Sequence, residues 1–345
     1  MRFSAIAALP ALAALTACGP DFTSIEQIVP AFTDGAVLDR RTSRRPDGGA
    51  SDATTTVLAD GEVPAPTVLP LPFPAHQCPS PGSMISTEAR RAFDRLNTLR
   101  TGIGLPCVAF SPNIATAATK HCEYYLQNET RDECVLNPHR EVATCPGFVG
   151  ERFTDRIKKF GFDGVGIYEV MAYVGDGAWS VDLWLNSVWH RVPLLSHEVA
   201  SFGYGSSGFC DTIDFSRLET PEKNTTFYYP KPEQTNVPTE FDGNESPQPP
   251  PPPAGWPSGY PVSLHAPGVT IAEHTIVVDG IGLNIPHHFI APGDPVAGDL
   301  LRDEFFLYTH EPLRAMTRYR VQLKGQRGGK PVSFDWSFVT RATGR

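Results

Sequence analysis

Beyond its first segment, the sequence has no apolar run long enough to cross a bilayer, since a membrane-spanning helix needs about 20 such residues. It also has no Cys-x-x-Cys pair, which disfavours the zinc sites built on that spacing. Positive charge is scarce: the formal net charge is -9, and loss of Arg2 with the first segment makes it more negative. This balance argues against general nucleic-acid binding, so no nucleic-acid partner is expected.

The N-terminus carries the pattern of an export signal. Arg2 precedes an apolar stretch at residues 6–15, which leads into Thr16-Ala17-Cys18-Gly19. Small residues before a cysteine resemble the lipobox of bacterial lipoproteins, a family in which that cysteine is acylated and the chain is cut just before it. The alternative is an ordinary signal peptide that is cut near Ala17.

The lipobox interpretation makes residues 1–17 a lipoprotein signal peptide and Cys18 the lipidation site. The membrane is then a partner through the N-terminal lipid. The expected location is extracytoplasmic, on the bacterial cell envelope. Gly19 rather than Asp follows the cysteine, which is compatible with the outer membrane.

Six cysteines remain once Cys18 is set aside. An even number in an oxidising compartment predicts disulfides, with 15 alternative connectivities. All of them lie between residues 78 and 210, which indicates one cross-linked domain followed by a cysteine-free one. The six are Cys78, Cys107, Cys122, Cys134, Cys145 and Cys210.

The composition divides the remaining chain into three parts. Residues 18–82 are rich in Pro, Thr, Asp, Gly and Ala and are predicted to form a flexible tether. Residues 83–220 mix helical and strand patterns, and residues 224–345 are predicted to be β. The Pro-rich stretch 247–257 is either a linker or a long loop within a β-sandwich, and we favour the loop. The expected fold class is α+β.

Several elements can be placed by their local signals. Ser86 is a candidate N-cap for a first helix, and Ser111-Pro112 begins a second. Two further helices are predicted near 153–160 and 181–188. Strands are predicted in the first part at 168–174, 200–204 and 212–215, and in the second part at 226–229, 270–278, 319–324 and 333–340.

Segment 86–215 resembles the CAP superfamily, also called SCP-like, in its bacterial form. The order and spacing of the motifs carry the resemblance, and it implies an α-β-α sandwich. The motifs are Leu96-Asn97-x-x-Arg100, Ala117-Ala118-x-x-His121, His139-Arg140-Glu141, Pro146-Gly147-Phe148-x-Gly150, Glu169-Val170-Met171, Trp184-Leu185-x-Ser187-x-x-His190-Arg191 and Gly203-Tyr204-Gly205.

The resemblance implies a cleft lined by two histidines and two acids, which binds a divalent metal in some members. His139, Glu169 and His190 match three of these positions, while Ser187 stands where the second acid is expected. Glu141 is a candidate replacement. Two imidazoles and one carboxylate suit zinc, with an open position for water. The alternative is a set of hydrogen-bonded residues that brace the cleft, with His190 held by Glu169.

Two other features have a simple interpretation. Arg191 is expected to anchor a helix end through a carboxylate, or else to contact a ligand. The stretch Gly203-Tyr204-Gly205-Ser206-Ser207-Gly208 matches the dinucleotide fingerprint letter for letter, but no helix pattern follows it. We interpret this stretch as the end of a strand and a turn.

The last part of the chain resembles bacterial Ig-like domains, on Thr317-x-Tyr319-x-Val321-x-Leu323 and Trp336-Ser337-Phe338-x-Thr340. The resemblance implies a spacer or an adhesive module. His287, His288 and His310 have no spacing that argues for a metal, so we expect them to be surface residues.

Three functions are open. The first is a non-catalytic extracytoplasmic module that binds a lipid, peptide or glycan in its cleft. The second is a metal-dependent hydrolase that uses His139, Glu169 and His190, with Glu141 or Glu169 as general base. The third is a structural or adhesive envelope protein. Fold alone does not decide between them.

Overall fold

The computed structural model describes residue 68 and residues 70–83, 85–217 and 225–342. The predicted signal peptide, Cys18 and most of the predicted tether lie outside these ranges. The helices are α1 (Thr87–Gly102), α2 (Pro112–Asn128), α3 (Phe153–Lys159), α4 (Gly177–Asn186) and α5 (Arg191–Leu195). The strands of the first part are β1 (Ala109–Phe110), β2 (Gly166–Ala172), β3 (Val199–Ser207) and β4 (Cys210–Arg217).

The second part is β throughout, as predicted. Its strands are β5 (Phe227–Tyr229), β6 (Gln234–Val237), β7 (Glu240–Phe241), β8 (Ser258–Gly259), β9 (Val262–His265), β10 (Val269–Val278), β11 (His287–Ile290), β12 (Glu304–Thr309), β13 (Arg318–Arg327) and β14 (Lys330–Thr340). No helix in the described ranges is long and apolar enough to cross a membrane.

Side-chain caps set the starts of the helices. The Ser86 hydroxyl accepts from the Ala89 amide, and the Ser111 hydroxyl accepts from the Ile114 amide, so both predicted N-caps are confirmed. The fourth helix begins earlier than predicted, at Gly177, because Asp176 accepts from the amides of Ala178 and Trp179. That cap lies before the apolar stretch on which the prediction relied.

The first part is a three-layer arrangement around a sheet with strand order β1-β3-β4-β2. On one face Phe93 of α1 stacks on Phe202 of β3, with ring centroids 6.2 Å apart. On the other face α2 lies directly on Gly203 and Gly205, where an added Cβ would fall 2.0 Å from backbone nitrogens of the helix. Helices therefore cover both faces of the sheet, and the α+β class is confirmed.

Residues 203–208 are the end of a strand and the start of a turn, as we interpreted them. Gly203 and Gly205 lie inside β3, and the turn follows at Gly208 and Phe209. The two glycines allow the backbone of α2 to approach the strand closely.

All six cysteines that were predicted to form disulfides do so, which confirms that prediction. The pairs are Cys78–Cys107, Cys122–Cys210 and Cys134–Cys145. The first pair fixes the end of the predicted tether beside α1, where Phe73 also packs against Gly102. Residues 70–82 are thus attached to the fold, although their proline content suggested a flexible segment.

Two four-stranded sheets make up most of the second part. Their strand orders are β10-β13-β14-β6 and β11-β12-β9-β5. Their facing sides share a core: Tyr228 of β5 packs on Trp336 of β14 at 4.8 Å, and Phe289 of β11 stacks on His274 of β10 at 4.2 Å. The Ig-like character of this pair of sheets stays a prediction.

The Pro-rich stretch 247–257, here called the proline strap, is a loop within the second part. The strands on either side of it, β7 and β8, pair with each other. Pro249 and Pro252 are buried, which is the threefold spacing of a polyproline helix resting on one face. The Tyr308 hydroxyl donates to the Pro250 carbonyl at 2.7 Å, which attaches the strap to β12.

Polar and aromatic side chains join residues 85–217 to residues 225–342, and we call this interface the seam. Lys231 Nζ donates to the Gly102 carbonyl, and the Tyr260 hydroxyl donates to Asn186. One cluster of buried apolar residues runs from α1 through both sheets of the second part. The two parts thus share a core.

Candidate functional site

A buried group of charged residues lies between the sheet and the α2–α3 layer. His139 Nδ1 donates to Glu169 Oε1 at 2.9 Å, and the Arg156 guanidinium donates to the other oxygen of Glu169. His121, on α2, is 4.0 Å from Glu169. We call His121, His139, Glu141, Arg156 and Glu169 the histidine–carboxylate cluster.

Glu141 is held deep in this cluster. It accepts from His121 Nδ1 at 3.0 Å and from the amides of Val149 and Gly150 at 2.6 and 3.3 Å. His121 Nε2 faces the Pro138 carbonyl at 2.8 Å. Both ring nitrogens of His121 therefore have hydrogen-bond partners within the protein.

The electrostatics of the cluster keep Glu169 ionised. Burial raises the pKa of the Glu169 carboxyl, but the positive charges of Arg156 and His121 and the bond from His139 outweigh it, so the pKa is well below its ordinary value. Burial lowers the pKa of Arg156, but the carboxylates of Glu169, Asp214 and Glu141 raise it more. Asp214 lies opposite Glu169 in the β2–β4 pair.

His139 is the member of the cluster that reaches solvent. Its side chain is 25% exposed, whereas those of the other four members are at most 1% exposed. Because a carboxylate only accepts hydrogen bonds, Nδ1 of His139 carries a proton, and in the described part of the chain no hydrogen bond engages Nε2. The site therefore presents one oriented imidazole nitrogen, held from behind by a buried carboxylate.

This arrangement does not fit a zinc ion held by His139, Glu169 and His190. Both oxygens of Glu169 and both nitrogens of His121 already have hydrogen-bond partners. This leaves Nε2 of His139 as the nitrogen of the cluster that a metal ion could bind. In the described part of the chain, no group of three or more His, Cys, Asp or Glu residues is placed to hold a metal ion.

His190 lies in a different environment. Its Nδ1 donates to Glu245 at 3.1 Å, and Glu245 also accepts from the amides of Val188 and Trp189 at 2.7 and 2.9 Å. Glu245 belongs to the second part of the chain, and its side chain is 1% exposed. His190 is therefore held across the seam by Glu245, and not by Glu169.

Arg191 is buried in the seam, and its partners are not those the sequence suggested. It donates to the Leu185 and Pro261 carbonyls at 2.6 and 2.7 Å rather than to a carboxylate. Rings of three aromatic residues lie 5.0 to 5.7 Å from its guanidinium carbon. Burial lowers the pKa of Arg191.

An aromatic group continues the α2 face of the sheet beyond the cluster. The rings of Tyr125 and Tyr173 are 5.1 Å apart, and Phe209, which is 37% exposed, lies 6.2 Å from Tyr173. Burial raises the pKa of Tyr173, and Tyr125 and the charge of Glu169 raise it further, which ties this group electrostatically to the cluster.

Comparison with known proteins adds one structural likeness. No family model and no curated protein matches the chain. Among solved structures, the chain is similar to an extracellular protein containing a SCP domain from Bacillus anthracis str. Ames, with 25% identity and a TM-score of 0.32. The likeness covers 38% of this chain and 40% of that one, so the chain spans less than half of that protein. At this TM-score the likeness does not establish a shared fold, and the layered architecture rests on the contacts described above.

Sequence reasoning placed His139, Glu141 and Glu169 among the site residues, and the structure brings these three together. It missed the site roles of His121, Arg156 and Asp214. A signal for Asp214 is present: it stands between the bulky apolar residues Ile213 and Phe215 in a predicted strand, and an acid that is buried there needs a partner. The pairing of His190 with Glu245, 55 residues away, has no local signal.

Proposed function

We propose that the protein is an exported, lipid-anchored member of the CAP superfamily that acts as a non-catalytic binding module. The motif order over residues 86–215 and the three-layer packing support the family, and the lipobox-like Thr16-Ala17-Cys18 supports the anchor. The binding role rests on one observation: the His139 side chain is oriented by Glu169 and is partly exposed, while the other members of its cluster are buried and paired.

We propose a ligand with both polar and apolar surface. His139 would form a hydrogen bond with a ligand hydroxyl or amide, and Phe209, which is 37% exposed and lies beside Tyr173, would supply apolar contact area. A glycan combines hydroxyls with apolar ring faces, so it is the class we favour over a peptide or a lipid.

A binding experiment tests this proposal. Purified protein is screened against immobilised oligosaccharides, peptides and phospholipid vesicles, and any binding is quantified by calorimetry. We expect His139→Ala to weaken binding at least tenfold, because it removes the one accessible polar atom of the cluster. His190→Ala is the matched control and should bind normally. Equal binding by wild type and His139→Ala would refute the proposed role of this site.

The anchor has an independent test. Cys18→Ser removes the thiol that the lipobox interpretation requires for acylation, so the protein should move from the membrane fraction to the soluble fraction of the envelope. Retention of the variant in the membrane fraction would favour the ordinary signal peptide and another mode of attachment.

A further inference from the structure

Four of the ten histidines gather in the second part of the chain, away from the histidine–carboxylate cluster. His274 and His287 form one pair, with Nδ1 of His274 2.8 Å from Nε2 of His287. His288 and His310 form the other, with ring centroids 4.8 Å apart. We expected His287, His288 and His310 to be surface residues with no spacing that argues for a metal, and the pairing of β11 with β12 brings them together.

The first pair uses three of its four ring nitrogens internally. His287 Nδ1 faces the Ile285 carbonyl at 2.6 Å, so it carries a proton, and Nε2 then accepts from His274 Nδ1. This bond consumes the lone pair of His287 that a metal would need. The His274–His287 pair therefore cannot hold one ion through both rings.

The second pair keeps its lone pairs free. His288 Nε2 donates to the Pro251 carbonyl of the proline strap at 3.1 Å, which places the lone pair of this ring on Nδ1. A backbone carbonyl that holds one imidazole nitrogen is the usual way in which a protein orients the other nitrogen toward a metal. Within the described ranges, no hydrogen bond engages the ring of His310.

We propose that His288 and His310 bind a divalent transition-metal ion of the Cu²⁺ or Zn²⁺ type. With metal–nitrogen distances of about 2.1 Å, two imidazoles on adjacent positions of one ion have ring centroids about 5 Å apart. The observed 4.8 Å matches this separation. The two protein ligands leave the remaining positions to water, so the ion exchanges readily.

Burial lowers the pKa of His288, the bond to the Pro251 carbonyl opposes this, and the charges of His310 and His287 lower the pKa further. Imidazole is a ligand that both copper and zinc accept, and the general order of affinity puts Cu²⁺ above Zn²⁺.

Calorimetric titration of the full-length protein with CuCl2 and then ZnCl2 tests the proposal. We expect one Cu²⁺ per chain, with weaker Zn²⁺ binding, and at least a tenfold loss of Cu²⁺ affinity in His288→Gln and in His310→Ala. Gln at position 288 retains a donor for the Pro251 carbonyl, so this variant separates loss of the ligand from loss of the strap contact. His139→Ala, at the proposed ligand site, should bind Cu²⁺ like the wild type.

The electron paramagnetic resonance spectrum of the Cu²⁺ complex gives a second readout. Coupling to two imidazole nitrogens is expected in the wild type, and coupling to one in each variant. Absence of stoichiometric Cu²⁺, or loss of binding in His139→Ala with retention in both other variants, would overturn the site. Neither result depends on whether His139 binds a glycan.

Discussion

At the residue scale, His139 and Glu169 share a hydrogen bond, but their removal should have different effects. His139→Ala removes a partly exposed ring and is expected to lower the free energy of unfolding by about 1 kcal/mol. Glu169→Gln leaves Arg156 buried without its main counter-charge, which costs about 3–5 kcal/mol. Urea unfolding of both variants checks the difference. Equal losses would mean that Arg156 is adequately paired by Glu141 and Asp214.

Glu304 makes the stability depend on pH. Burial raises its pKa, but the bond and the charge of His265 and the amides of Arg302 and Asp303 lower it more, so the net shift is downward. A lowered carboxyl pKa adds stability above the unfolded value of about 4.3, and this stability is lost as the pH falls through the folded value. The difference in unfolding free energy between wild type and Glu304→Gln should therefore shrink from pH 7 toward pH 3. A difference that does not change with pH would contradict this.

Whether the role of a residue can be predicted depends on how far away its partners lie along the sequence. The hydroxyls of Ser86 and Ser111 accept hydrogen bonds from amides only three residues further along the chain, so the sequence alone identified both caps. Arg191 was expected to anchor a helix end through a carboxylate, but it donates to the Pro261 carbonyl, 70 residues away, and no local pattern encodes that choice.

At the scale of elements, the contact between α2 and β3 depends on two missing side chains. Gly205→Ala would place a Cβ 2.0 Å from the Thr119 amide nitrogen, so the helix has to move away from the sheet. We expect a loss of about 1–3 kcal/mol or more in unfolding free energy, as in other overpacked cores. Ser207→Ala, on the same strand, is the control. Thermal unfolding of both variants checks this, and an unchanged melting temperature for Gly205→Ala would show that α2 can shift at little cost.

The elements also show why the fold was easier to predict than the site. Helix starts and alternating strands are local patterns, and those that were predicted lie within a few residues of their observed bounds. Strands β9, β11 and β12, which form one sheet with β5, were not predicted. The proline strap resisted a firm prediction because its composition suits both a linker and a loop. The pairing of β7 with β8 decided between them, and pairing is a tertiary event.

At the scale of the whole molecule, the seam makes the two parts of the chain depend on each other. A fragment ending at residue 220 lacks the Pro261 carbonyl that holds Arg191 and the Glu245 carboxylate that holds the turn at His190. We expect residues 70–220 alone to unfold at a much lower temperature than the full chain, or without a cooperative transition. Circular dichroism melting of the two proteins measures this. Equal melting temperatures would show that the first part is an independent domain.

The wrapping of Arg191 also bears on how such a protein can change over evolutionary time. The guanidinium of Arg191 depends on a carbonyl and three aromatic rings from the other half of the chain, so the first half is not stable with this residue unless the second half is present. A recombination event that replaced the C-terminal half would leave the buried guanidinium of Arg191 without these partners. We therefore expect related proteins to contain both halves. A relative that lacks the second half should have another residue in place of Arg191.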